Sequence, residues 1–169
     1  MRIILLAGYR PTSADNCPWL ENEEGLPRLE KRMREARELG QNCIVVLAGE
    51  SAEAALRLCP SLEKCELVFD NQTQRPNLLS NLRAALQNID LPAVVLPAEL
   101  KFGDLEAVKQ LAAAAVQQGL NTPHHMFQIS ENAFPLVLSP EGCKELVHNK
   151  QIEGLADPRL TRHVPCLSR

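Results

Sequence analysis

Four short apolar runs set the terms for this chain: RIILLA at 2–7, CIVVLA at 43–48, ELVF at 66–69 and AVVLP at 93–97. Each is long enough for a buried strand and too short for a helix. Between them lie segments with apolar residues at three- and four-residue spacing. Leu26, Leu29, Met33, Ala36 and Leu39 form the first such stripe, opened by Pro27 and closed by Gly40. Ser51 is placed to cap a second helix over AEAALRLC, and Leu79, Leu82, Leu86 and Ile89 mark a third. Asp104 is placed to cap a fourth, with Leu105, Val108, Leu111, Ala112, Ala115 and Val116 on one face and Gly119 beyond its end. Strands that are apolar on both faces and alternate with helices predict an α/β fold. The expected form is a three-layer α/β/α Rossmann-like sandwich on a mainly parallel sheet.

After Gly119 the rhythm changes. HHMFQI and FPLVL read as two further strands, followed by a helix from Pro140 to about Val147 and a polar tail with at most a short strand near 162–166. With no repeat or linker in 169 residues, one domain over 1–169 is expected. A net charge of −3 without a basic patch argues against a nucleic-acid partner. No apolar run is long enough to span a membrane. The six cysteines lack paired metal spacing, and no signal peptide precedes them, so reduced thiols in a cytoplasmic protein are expected.

In open parallel sheets ligands gather at the carboxyl ends of the strands. The chemistry is therefore sought after the first run (Gly8 to Gly25), in DNQTQRPN after the third, in PAELKFGD after the fourth, and at SENAF. A glycine after the first strand removes a side chain where a phosphate would approach backbone N–H groups, although a glycine at such a turn also has ordinary structural uses. Asp70 and Asn71 are placed to meet a base or ribose, or simply to make a turn. Adjacent His124 and His125 would point to opposite faces of a strand, which disfavours a shared metal. The charged surface of RLEKRMREAREL reads as a solvated helix face. Burying Trp19, the only tryptophan, would stabilise a closed loop over the sheet edge by about 2–3 kcal/mol.

These residues carry a family resemblance. The chain resembles the MobA-like molybdenum-cofactor nucleotidyltransferases, whose amino terminus reads roughly L-A-G-G-x-x-x-R-M-G-x-x-K-x-x-L-x-x-x-G-x-P-L-L. Leu6, Ala7, Gly8, Gly25, Pro27 and Leu29 fall in register with it, and the likeness resumes at LVFDNQ, LLSNLRAAL, AVVLPAELKFGDLEAV and FPLVLSPEGCKEL. The resemblance implies the nucleotide-diphospho-sugar transferase type of fold and transfer of a nucleotidyl group from GTP or CTP to a molybdopterin-type or other phosphorylated acceptor. Mg2+ would be held by Glu99, at the family's metal-binding aspartate position. Leu6, Ala7, Gly8, Asp70 and Asn71 would contact the nucleotide, and a homodimer is compatible with it.

The departures are as informative. Tyr9 stands at the second family glycine, Ser13 at the loop arginine, Asp15 at the next glycine and Pro18 at the lysine. Lys101 replaces a usual proline, and the family's later Gly-Asp falls at Gln151-Ile152. A cation aimed at transferring phosphate is worth ~10³–10⁵ in rate. Catalysis would therefore require Arg10 or Lys101 to supply that charge beside Glu99. The alternative is a catalytically degenerate relative acting as a ligand-binding or protein-interaction module.

Overall fold

The computed structural model describes residues 1–8, 17–39, 43–49, 51–70, 77–101, 106, 109, 110, 113, 126–128 and 136–153, with backbone alone at 51 and 126–128. The four apolar runs form β1 (Arg2–Ala7), β4 (Cys43–Leu47), β5 (Glu66–Phe69) and β6 (Ala93–Pro97). They lie in the order β5-β4-β1-β6, all parallel. Antiparallel β8 (Leu136–Leu138) follows β6, and β7 (Met126–Gln128) completes the far edge. Two residues on each side of a turn make a small separate hairpin, β2 (Asn22–Glu23) and β3 (Leu26–Pro27).

Both faces of the sheet are covered, which is why β1, β4 and β6 read as unbroken apolar runs. On one face Ile3, Leu5, Ala7, Cys43, Val45 and Leu47 pack with Leu29, Met33 and Ala36 of α1 (Arg28–Glu38) and with Ala55 of α2 (Ser51–Leu58). On the other, Ile4, Leu6, Ile44, Val46 and Val95 pack with Leu82 and Leu86 of α3 (Leu78–Leu86) and Cys143 and Leu146 of α4 (Pro140–His148). The sandwich expected from the sequence is what forms.

Local chemistry fixes the helix ends. Asn77 and Ser80 form a reciprocal capping box at the start of α3, and Ser139 accepts from the Gly142 N–H at the start of α4. Arg83 of α3 donates to the carbonyls of Leu146, Asn149 and Ile152, satisfying groups at the carboxyl end of α4 that the helix itself leaves open. α2 begins at Ser51 itself, and Pro27 precedes α1 as its cap. Residues 106, 109, 110 and 113 are helical and exposed, and the apolar stripe expected at 105, 108, 111, 112, 115 and 116 lies outside the described residues. Asp104, His124, His125 and 162–166 lie outside the described residues.

One expectation is corrected here. The first long helix does not present its charges only to solvent: Glu30 and Arg32 are buried. Glu30 accepts from the Ser61 N–H at 3.1 Å and the Ser61 hydroxyl at 2.6 Å, tying α1 to the 3-10 turn Pro60–Lys64. Burial pulls its carboxyl upward, but the Ser61 hydrogen bonds and Arg34 outweigh it and hold the group below its ordinary value.

Candidate nucleotide-binding edge

The strand order reverses direction at β1: the chain moves from β1 to β4 to β5 on one side, then crosses to β6 on the other. Such a switch point opens a crevice at the carboxyl ends of the two diverging strands. Register places Leu6 beside Pro97, and the Ala98 N–H donates to the Leu6 carbonyl at 2.9 Å. Gly8 and Glu99 therefore follow neighbouring strands at the same edge. Glu99 is half-buried in a tight turn closed by the Leu100 N–H on the Pro97 carbonyl at 3.0 Å.

Gly8 has a structural reason to be glycine. A Cβ there would stand 2.5 Å from the Ala48 nitrogen and 2.6 Å from the Ala48 Cβ, so the ends of β1 and β4 approach too closely for any side chain. We expect Gly8→Ala to destabilise the fold by about 1–3 kcal/mol through overpacking against backbone. A chemical-denaturation midpoint that does not move would contradict this packing. Leu6 and Ala7 are fully buried strand residues, so their backbone rather than their side chains can serve a ligand.

Asp70 follows β5 on the same edge, with its N–H bonded to the Leu47 carbonyl. It is buried, and its Oδ2 accepts from the Ser80 hydroxyl and from Asn81 Nδ2, both at 2.6 Å. Asp70 thus docks the start of α3 against the sheet. Three strand spacings of ~4.8 Å separate the ends of β5 and β6, about 14 Å, so Asp70 and Glu99 cannot share one cation. Asn71 and Arg10 lie outside the described residues.

Lys101 is exposed, and its ammonium lies 3.6 Å from Glu23 of the hairpin. Glu23 is the hub that sequence reading missed. Arg32 reaches both its oxygens at 2.9 and 3.0 Å, Lys31 stands at 3.1 Å, and Arg28 at 3.6 Å. The guanidinium of Arg32, the ammonium of Lys31 and their charges outweigh burial and hold the Glu23 carboxyl down to about 2. Arg28 also pairs with Glu21 at 2.9 Å, Lys31 with Glu24, and Arg32 with Glu35. The signal in the sequence was the acidic ENEEG run directly ahead of the basic helix.

The amino end of α1 is also engaged: the Arg28 N–H donates to the Glu21 carbonyl at 3.0 Å. Trp19 lies in the 3-10 turn Pro18–Leu20 and is buried completely in the α1-side core, with Cys17 beside it in that core. Its expected place as a flap over the sheet edge becomes a place in the core itself. At the position of the family's late Gly-Asp, Gln151 is exposed and Ile152 is buried in the α3–α4 core. Neither supplies a carboxylate.

Among the described residues no three histidine, cysteine, aspartate or glutamate side chains converge on one point. That donor set fits a magnesium-type cation only in one form. One protein carboxylate would be completed by substrate phosphates and water, a usual arrangement for Mg2+.

The architecture recurs in solved structures. A homologue of Rv0371c from Mycobacterium sp. strain JC1 superposes with a TM-score of 0.67 at 20% identity, over 87% of this chain and 73% of that one. The overall geometry is shared. The chain has the same fold, an α/β sandwich on a largely parallel sheet flanked by helices. Rv0371c from Mycobacterium tuberculosis, in a complex with manganese, gives 0.61 at 18% identity, covering 87% and 74% of the two chains. Molybdopterin-guanine dinucleotide biosynthesis protein A from Archaeoglobus fulgidus gives 0.61 at 15% identity, covering 86% and 71%. No family model and no curated protein matches the chain by sequence. Among the described residues no helix is long and apolar enough to cross a membrane.

Proposed function

We propose that this chain is a MobA-like nucleotidyltransferase that binds a nucleoside triphosphate with Mg2+ in the crevice between β1 and β6. It would transfer the nucleotidyl group of GTP or CTP to a molybdopterin-type or other phosphorylated acceptor. The observation that supports this reading is the placement of Gly8 and Glu99 at adjacent strand ends on either side of the switch point. In this reading the backbone of Leu6, Ala7 and Gly8 approaches the phosphates, and Glu99 holds the cation. Arg10 and Lys101 offset the charge of the triphosphate, and Asn71 meets the base or ribose while Asp70 steadies that edge. A bound Mg2+ would neutralise charge developing at the α-phosphorus.

The alternative, a relative that binds ligand without transferring it, draws on the occupation of Lys101 by Glu23. Titration calorimetry with GTP, CTP and ATP, with and without Mg2+ or Mn2+, separates the readings. The transferase reading expects metal-dependent binding of GTP or CTP that weakens at least tenfold in Glu99→Ala, and pyrophosphate release when an acceptor is added. Absence of metal-dependent binding at millimolar nucleotide would overturn it. Binding without pyrophosphate release across phosphorylated pterin acceptors would favour the non-catalytic relative.

A further inference from the structure

Three sulfurs meet under α1, at the amino ends of β4 and β5 and therefore at the opposite end of the sheet from Gly8 and Glu99. Cys65 Sγ lies 3.8 Å from Cys43 Sγ and 3.5 Å from Met33 Sδ. Ile44 and Glu66 are paired in the β4–β5 register, so Cys43 and Cys65 precede them on neighbouring parallel strands. Parallel neighbours stand ~4.8 Å apart, inside the Cα separation that a disulfide spans. The two sulfurs need to close by less than 2 Å to bond. Cys43 is buried and Cys65 is half-buried, so one member of the pair is within reach of a small oxidant while the other is held behind it.

We propose that Cys43 and Cys65 form a peroxide-reactive dithiol that closes to a disulfide between β4 and β5. The thiolate of Cys65 attacks one oxygen of hydrogen peroxide, forming a sulfenic acid and releasing hydroxide. The Cys43 sulfur then attacks Cys65 Sγ; its proton and the sulfenic hydroxyl leave together as water. Two thiols are oxidised and one peroxide is reduced to two waters once the hydroxide is protonated.

The surroundings agree with this division of roles. Hydrogen bonding with Cys43 and the charge of Arg37 hold the Cys65 thiol below its ordinary value against the upward pull of burial. The same contact, together with deep burial, pushes Cys43 upward. Cys65 is therefore the attacking sulfur and Cys43 the resolving one. Cys59 and Cys143 are pushed up to about 12 by burial, which keeps them as inert thiols. The bond would close a loop across 22 sequence positions and tie edge strand β5 to the sheet interior.

The test is a peroxide titration of the reduced full chain, alkylation, and non-reducing peptide mapping by mass spectrometry. A peptide joining Cys43 to Cys65, lighter by two hydrogens, is expected, together with a melting temperature raised by roughly 5–10 °C. Cys43→Ala should give no bridge and leave Cys65 as a sulfenic acid trapped by dimedone. Cys65→Ser should leave Cys43 alkylatable only after denaturation. The wild-type mapping does not depend on either variant folding. A bridge to Cys17, Cys59 or Cys143, first oxidation at Met33, or both thiols surviving peroxide that oxidises a free-thiol control would each overturn the proposal.

Discussion

Replacing Trp19 by alanine is expected to lower stability by about 3–5 kcal/mol, the range for truncating a large aromatic in a core that cannot collapse. Typical domains of this kind have about 5–15 kcal/mol in hand, so the variant would lose roughly a fifth or more of the total. The ring is fully buried in the same apolar cluster as Leu29, Met33, Ala7 and Ala98, which joins α1 to the strands on both sides of the switch point. Among the described residues its indole Nε1 has no hydrogen-bond partner, and packing is what holds the ring there. Trp19→Phe should therefore cost less than about 1.5 kcal/mol, since volume is largely kept and an unsatisfied N–H is removed. Urea unfolding followed by circular dichroism checks both variants, because neither retains tryptophan fluorescence. Equal losses for Phe and Ala would show that the indole N–H, not ring volume, holds the turn.

The fold was legible where burial is two-sided. β1, β4 and β6 carry no alternation because helices cover both faces, and unbroken apolar runs announce that directly. Two further strands were read at HHMFQI and FPLVL and form at 126–128 and 136–138, while their antiparallel pairing comes from the structure. The β2–β3 hairpin was not. Two residues per strand with glutamate, asparagine and proline carry no periodicity, and only the left-handed backbone at Glu24 and Gly25 marks the turn. Periodicity also misplaced Arg32 and Glu30, because a charged residue at a surface-like helical position is assigned to water by default. Their partners come from Glu23 and Ser61, which a helical wheel cannot contain.

The candidate site divides in the same way. Gly8 and Glu99 were legible as strand-end positions, one directly after β1 and the other two residues after β6, and topology brings those neighbouring strand ends together. Asp70 was equally legible as a position at a strand end but not in its role. Short polar residues at strand ends serve turns, ligands and helix docking alike, and only the bonds to Ser80 and Asn81 identify the last. Lys101 was read as a candidate phosphate contact, while the carboxylate that holds it lies 78 positions earlier, on a hairpin that the pattern did not reveal.

Removing Glu23 is expected to be the most damaging single charge change in the molecule, about 3–5 kcal/mol for Glu23→Ala, with a smaller loss for Glu23→Gln. Four cations, Arg28, Lys31, Arg32 and Lys101, surround this one carboxylate, and Arg32 is fully buried. Without Glu23, among the described residues Arg32 keeps Glu35, Arg28 keeps Glu21 and Lys31 keeps Glu24, but the carboxylate that all four cations share is gone. The same arrangement sets an acid response. The Glu23 carboxyl is held down to about 2 in the folded chain against 4.5 ordinarily. Its contribution is therefore fully present above pH 4.5 and drains as pH falls toward about 2, on the order of 2–3 kcal/mol in all. Urea midpoints between pH 6 and pH 2.5 should fall steeply for the wild type. In Glu23→Gln this part of the slope should vanish while other carboxylates titrate as before. An unchanged slope would mean that the hairpin opens before Glu23 is protonated, and that the four cations are held by the fold rather than by this carboxylate.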